Sequence, residues 1–347
     1  MKCLVTGSSG LLGHCLVERL EDRGDELRLV DIVPPEGPGH RGDHELVLCD
    51  TAEPGALDAL ARGCDVVYHL AAAQRMKPQF QWSEERIFRS NLESVRNVLG
   101  AAERAGVPKV VHLSSSGIYG VPRTVPVGED HVQAPLGRYG ESKIEAERLC
   151  AEAVARGLDV TALRPMTLFG PRMTGVFTIL FEWVRRAKPV FLLGSGHNRV
   201  QGVSAWDVAD AAIAAALSPR SKGAMVNVGA EPGGVPTVRE WTESLIAHAG
   251  TGSPVVCIPA ALLRNAARAL DVFGVSPIVP EHYLLADSDF VLDIRAAKDA
   301  LGWAPKYDNA RMLAEAYDWY VSLGDAKRPP QHVVLRMLNA AMPSFGR

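Results

Sequence analysis

Thr6-Gly7-Ser8-Ser9-Gly10-Leu11-Leu12-Gly13 joins the β-rich run Lys2–Thr6 to a helical pattern over Leu11–Asp22. Its three glycines, spaced Gly-x-x-Gly-x-x-Gly, permit a tight turn, close approach of backbone to a pyrophosphate, and close packing of helix on strand. The helix that follows points its first N–H groups and the positive end of its dipole at the phosphates. Asp31, closing the next strand about 20 residues on, stands where an acid binds the adenosine ribose hydroxyls. Its charge would repel a 2′-phosphate and no arginine follows at once, so NAD is expected rather than NADP. Gly7, Gly10, Gly13 and Asp31 are the first candidate cofactor residues, and Asp50, closing the third strand, is a candidate for the adenine.

The pattern continues outward. Glu26–Asp31, His44–Cys49, Val66–Leu70, Lys109–Leu113 and Asp159–Arg164 read as strands, and Gly55–Ala61, Glu84–Ala105 and Tyr139–Arg156 as helices. Nearly all-apolar strands alternating with helices predict an α/β fold, a Rossmann-type doubly wound parallel sheet covered on both faces. After Pro171, clusters of Gly, Pro and Ser break the rhythm, which predicts a smaller, interleaved C-terminal substrate domain. We expect residues 1–170 to form the NAD-binding domain, with Ala205–Leu217 returning to it near 200–220. Residues 171–325 are expected to bind mainly substrate, and 326–347 to form a tail with a short amphipathic helix.

Composition narrows the classes. Among 347 residues, 37 Lys and Arg against 40 Asp and Glu leave a net charge of −3, which argues against a chain-wide design for nucleic acid or anionic membrane. No apolar run reaches the roughly 18–20 residues of a membrane span, and no secretory signal opens the sequence. Six cysteines without a CxxC pair suggest reduced thiols in a cytoplasmic protein. His40, Asp43 and His44 sit in or beside a Pro/Gly-rich loop with no further ligand in evidence, so no metal is expected. The serine run 114–116 lacks a Gly-x-Ser-x-Gly elbow, against a Ser-His-Asp hydrolase.

Tyr139-Gly140-Glu141-Ser142-Lys143 sets Tyr139 and Lys143 on one helix face. A phenol is a poor base at neutral pH; a nearby ammonium and the positive nicotinamide ring would favour the phenolate and make Tyr139 a usable acid/base. The strand Val110–Leu113 ends in Ser114-Ser115-Ser116 and delivers hydroxyls to the carboxyl edge of the sheet, where open α/β proteins bind ligands. Strand-end capping is the plain structural use of such serines, above all Ser114 and in part Ser116.

The chain resembles an extended short-chain dehydrogenase/reductase of the NAD-dependent epimerase/dehydratase kind. The matches run in order: TGxxGxxG, His69-Leu70-Ala71-Ala72, Asn91 opening Asn91–Leu99, Ser114–Gly120, Leu163-Arg164-Pro165 with Phe169-Gly170-Pro171, and Leu301-Gly302-Trp303-Ala304-Pro305. The resemblance implies Ser115 as the serine that hydrogen-bonds the reacting oxygen, Tyr139 as proton carrier, and Lys143 as holder of the nicotinamide ribose. It also implies cofactor contacts from Ser9, Leu11, Leu12, Thr51, Leu70, Ala71, Ala72, Asn91, Ser114 and Pro165. Substrate contacts would come from Gln74, Ser115, Ser116, Thr167 and Arg199, and the assembly would be a homodimer acting on a small molecule.

The departures shape the reaction expected. Ser116 and Gly117 stand where dehydratases and decarboxylases of this kind carry an acid. Thr167 replaces an asparagine usual in nucleotide-sugar enzymes, and Pro280-Glu281-His282-Tyr283 lacks their late arginine. The leading expectation is an epimerase acting through a keto intermediate on a sugar, nucleotide-linked in its leading version, while Thr167 and the missing late arginine pull toward a dehydrogenase. The alternatives are a 3β-hydroxysteroid dehydrogenase-like or ketone-reductase enzyme with net hydride transfer, consistent with the apolar Ile258–Leu263, and a non-enzymatic NAD-sensing regulator. The mixed polar and aromatic stretch Ala73–Trp82, a candidate lid, fits either enzyme.

Overall fold

In the computed structural model the described residues are 1–35, 42, 44–74, 82–173, 175, 177–262, 265, 284–285, 287–324, 328 and 342. His40, Asp43, most of the candidate lid, Pro280–Tyr283, and nearly all of the tail lie outside them.

Seven parallel strands form the main sheet: β1 (Lys2–Thr6), β2 (Glu26–Asp31), β3 (Glu45–Leu48), β4 (Val66–His69), β5 (Lys109–Leu113), β6 (Asp159–Pro165) and, after three short strands elsewhere, β10 (Met225–Val228). Their order is β10-β6-β5-β4-β1-β2-β3. The winding reverses between β1 and β4, which opens the ligand-binding crevice at the carboxyl ends of those strands.

Strand alternation builds two cores. Cys3 and Val5 of β1, with Tyr68 and Val111, face α1 (Leu11–Asp22) and α5 (Ala205–Leu217). Leu4, Val67 and Val110 point the other way, onto α2 (Glu84–Ala105) and α3 (Arg138–Ala155). α2 starts where Ser83 accepts the Arg86 N–H (3.2 Å) and ends at Gly106, whose φ of 66° gives the left-handed turn a glycine takes without strain. α5 packs on the sheet face beside α1.

A third cluster gathers α4 (Phe177–Arg185), α6 (Val238–Ala249) and a later helix, α8 (Asn309–Ser322), around Phe181, Leu192, Leu245, Met312 and Tyr320. Two small parallel sheets adjoin it, β7 (Thr167–Phe169) with β9 (Gly202–Ser204) and β8 (Val190–Leu193) with β11 (Val255–Ile258). Between β11 and α8 lies α7 (Arg295–Leu301), which packs on the main sheet's side through Ala297 and Leu301.

One expected element differs. Gly55–Ala61 forms successive turns, not a helix. Pro54-Gly55 opens the segment with Gly55 at φ 76°; Leu57 and Ala61 are buried, and Leu60 packs half-buried beside them. The apolar spacing reflects these anchors rather than a helical face.

Candidate active site

The glycine turn is tight because backbone fills the space a side chain would need. Gly7 has φ 74°, and a Cβ there would lie 2.7 Å from Ala71 N; one on Gly13 would lie 2.2 Å from Gly7 O. Gly10 N–H closes the turn onto Gly7 O (3.2 Å) and Gly10 caps α1. Leu11 and Leu12 open that helix, with Leu12 buried. The Asp31 carboxylate accepts Ile32 N–H (2.7 Å) and Val33 N–H (3.2 Å) on one oxygen and Ser9 N–H (2.9 Å) on the other. The second oxygen thus keeps acceptor capacity toward the crevice. A dinucleotide fits these residues: pyrophosphate on the amides of the turn and α1, ribose hydroxyls on Asp31.

Beyond the turn, Thr6 Oγ1 bonds His69 Nδ1 (2.8 Å) across β1 and β4, and Leu70 N–H donates to Thr6 O (3.1 Å). Ala71 and Ala72 follow, half-buried. Asp50 accepts Ala52 N–H (2.9 Å). Thr51 is buried with its hydroxyl on Ser94, so its side chain serves the fold. Asn91 is buried too: its Oδ1 accepts Ala73 N–H (2.8 Å), while its Nδ2 donates to Ala73 O (3.2 Å) and Ser142 Oγ (3.2 Å). It clamps the segment after β4 onto α3, immediately before Gln74.

The sheet edge at β5 and the start of α3 bring Ser115, Tyr139, Lys143 and Gln74 together. The Tyr139 hydroxyl hydrogen-bonds with the side chains of both Ser115 and Gln74. Ser115 Oγ also accepts Gly117 N–H (3.1 Å), so this serine caps the short turn after β5. The plain capping role expected for Ser114 falls on its neighbour, because Ser114 Oγ is directed into α3 and donates to Glu147 Oε1 (2.5 Å). Ser116 Oγ donates to the Met166 thioether (3.3 Å). Lys143 Nζ donates to Leu113 O (2.7 Å) and lies 5.7 Å from the centre of the Tyr139 ring.

Burial pushes the Tyr139 pKa above the ordinary tyrosine value, and the hydrogen bonds from Gln74 and Ser115 oppose the rise only in part. The Lys143 ammonium is anchored on a main-chain carbonyl. Pro165 ends β6, and Thr167 begins β7 two residues later, half-buried. Arg199 is exposed. Its N–H donates to Asp289 Oδ1 (2.7 Å), it pairs with Thr237, and its charge acts on Glu240 at the start of α6.

Sequence reasoning did not single out Glu147, Arg164, Tyr119 or Asn227. Arg164 forks onto Glu147 (2.9 and 2.7 Å) and donates to the Tyr119 hydroxyl (2.9 Å), which donates to Asn227 Oδ1 (2.7 Å). The available signal was Glu147 one turn beyond Lys143.

Residues 3–229 match the model of the NAD dependent epimerase/dehydratase family. The chain belongs to that family. Its cofactor is NAD, and it is an enzyme of the extended short-chain dehydrogenase/reductase type. The chain is 35% identical over 351 residues to an uncharacterized protein, y4nG, of Sinorhizobium fredii, covering 98% of this chain and 86% of that one. It is 26% identical to a putative dihydroflavonol 4-reductase of Synechocystis, covering 93% and 95%. The crystal structure of UDP-glucose 4-epimerase from Thermotoga maritima, solved with UDP-glucose, superposes with a TM-score of 0.76 at 23% identity, covering 93% of this chain and 99% of the other. At that identity the likeness shows the fold.

Proposed function

We propose that this family member reversibly oxidises a secondary alcohol on a small molecule through a ketone, and that its net reaction is epimerisation of a sugar, nucleotide-linked in its leading form. The observation that carries the reading is the Tyr139 hydroxyl held between Ser115 and Gln74, with Lys143 one helical turn away. Bound NAD would supply the hydride acceptor and a positive ring beside the phenol. Tyr139 takes the alcohol proton, and Ser115 donates to the oxygen as charge develops there. Lys143 holds a ribose hydroxyl and lends positive charge to the same edge. With Ser116 and Gly117 following Ser115, β5 brings no acid for elimination. The ketone is therefore released or re-reduced, not dehydrated.

In this reading residues 1–170 and 200–220 bind NAD and 171–325 mainly bind substrate, which meets Gln74, Ser115, Ser116 and Thr167 from the first part and Arg199 from the second. A homodimer in the cytoplasm completes it, and light scattering tests the assembly.

A second reading, a dehydrogenase with net hydride transfer, is favoured by one observation. Asp287 and Asp289 occupy the Ser195 and Arg199 amides (3.2 and 2.7 Å), placing carboxylates on the loop that carries Arg199, where a nucleotide's phosphates would meet like charge. UDP-glucose and an aliphatic secondary alcohol separate the two readings. The epimerase converts the first with no accumulation of NADH, whereas the dehydrogenase reduces added NAD steadily with the second.

A further inference from the structure

Tyr139, Lys143 and Glu147 recur every four residues and share one face of α3. Opposite them, Ser115, Leu113 and Ser114 are three successive residues at the end of β5. The two sets meet in three rungs: Tyr139 with Ser115 Oγ, Lys143 Nζ with Leu113 O at 2.7 Å, and Glu147 Oε1 with Ser114 Oγ at 2.5 Å. Only the last lies wholly in the interior. Glu147 and Arg164 are each about 5% exposed.

Arg164 fixes that rung from a second strand. It ends β6 next to Pro165, and its planar fork grips both Glu147 oxygens. Its remaining nitrogen reaches the Tyr119 hydroxyl and Glu129 O (2.9 and 3.2 Å). Tyr119 passes the chain to Asn227 on β10, whose amide donates to Val127 O (3.0 Å) and whose N–H meets Glu129 Oε1 (2.9 Å). The donors and acceptors of this group are mutually satisfied, so it has one low-energy arrangement.

We infer that the Glu147–Arg164 pair is a positioning device: through Ser114 it sets the height of Ser115 against Tyr139 and so tunes the acid/base group. A buried pair of this kind is weak evidence for stability alone, since desolvation offsets its attraction. Its worth here is geometric. The Ser114 hydroxyl is one residue from Ser115, and Glu147 is two turns from Tyr139. Loss of the rung frees β5 and α3 to slide at the point where the Ser115–Tyr139 hydrogen bond forms. The inference rests on the reading of Tyr139 as the acid/base.

The test needs no substrate. The NAD-saturated protein is titrated by near-ultraviolet difference absorbance, with Tyr139→Phe subtracted to isolate Tyr139 among seven tyrosines. The positive nicotinamide ring favours the phenolate against burial, so NAD-saturated wild type is expected to show a lower Tyr139 midpoint than the NAD-free protein. Ser114→Ala should raise that midpoint by about 0.5–1 pH unit, a threefold to tenfold weakening of the acid. Ser114→Thr, which keeps the hydroxyl, should restore it. The double variant Glu147→Gln/Arg164→Met removes both charges together, avoids an unpaired buried ion, and should shift the midpoint the same way. A Tyr139 midpoint that stays in place in Ser114→Ala and in a folded double variant, while only the melting temperature drops, overturns the positioning role and leaves the acid/base reading standing. A wild-type Tyr139 midpoint that NAD does not lower overturns both.

Discussion

The Asp31 carboxylate accepts the Ser9 N–H at 2.9 Å, so the residue that would hold the adenosine ribose also ties the glycine turn to the end of β2. Asp31→Ala removes both roles. NAD affinity should fall about tenfold or more, as expected for a charge-assisted contact of ~1.5–3 kcal/mol, and preference over NADP should shrink. Isothermal calorimetry with each cofactor checks this. Wild type binding NADP more tightly than NAD would reject the assignment.

Gly13→Ala puts a methyl 2.2 Å from the Gly7 carbonyl. Backbone cannot yield there without opening the turn, so overpacking of about 1–3 kcal/mol should appear as a lower melting temperature together with weakened NAD binding. Ala at Gly24, where nothing stands near the added carbon, tests only the cost of its positive φ and should leave NAD affinity intact.

Asn91→Ala orphans the Ala73 N–H and C=O in a buried position. Each orphaned group costs about 1–3 kcal/mol, and the adjoining Gln74 loses its anchor. We expect a lower melting temperature and reduced kcat with little change in KM for NAD. Unchanged stability would show that water replaces the clamp.

His69 and His112 stack at 5.3 Å beneath Lys143, both fully buried. Burial, with the Lys143 charge second, depresses the His69 pKa from 6.5 to about 3 and pushes that of His112 well down. Both rings are neutral in the folded protein, whereas the unfolded chain takes up protons below 6.5. Their stabilisation is complete above that pH and is lost as pH falls toward 3, with a slope of up to about 1.4 kcal/mol per pH unit and ring. Urea unfolding between pH 7 and 4 should show this dependence, and His112→Asn should flatten it.

Much of this was legible in sequence. β1, β2 and β4–β6 are short apolar runs bounded by turn residues, and the glycine spacing marks the one place where backbone must approach backbone. Ser115, Tyr139 and Lys143 were read as one set, and the end of β5 and the start of α3 hold them together, with Gln74 beside the Tyr139 hydroxyl. What escaped has physical causes. Gly55–Ala61 carries helical spacing, but a positive φ at Gly55 outweighs it. β10 joins the main sheet from a distant part of the chain, and short-range periodicity does not encode that pairing. Arg164 and Glu147 read as ordinary polar residues on a strand and a helix, because nothing local says that both are buried and facing. The anchoring of Lys143 on Leu113 O depends on the height at which α3 meets β5, which tertiary packing sets.

The most direct measurement is the amount of NAD released per chain when the purified protein is denatured, identified by mass spectrometry. An epimerase must return the same hydride, so the cofactor stays bound through the cycle, and the account predicts close to one NAD per chain. A cofactor-free preparation that steadily accumulates NADH from added NAD and an alcohol would contradict it.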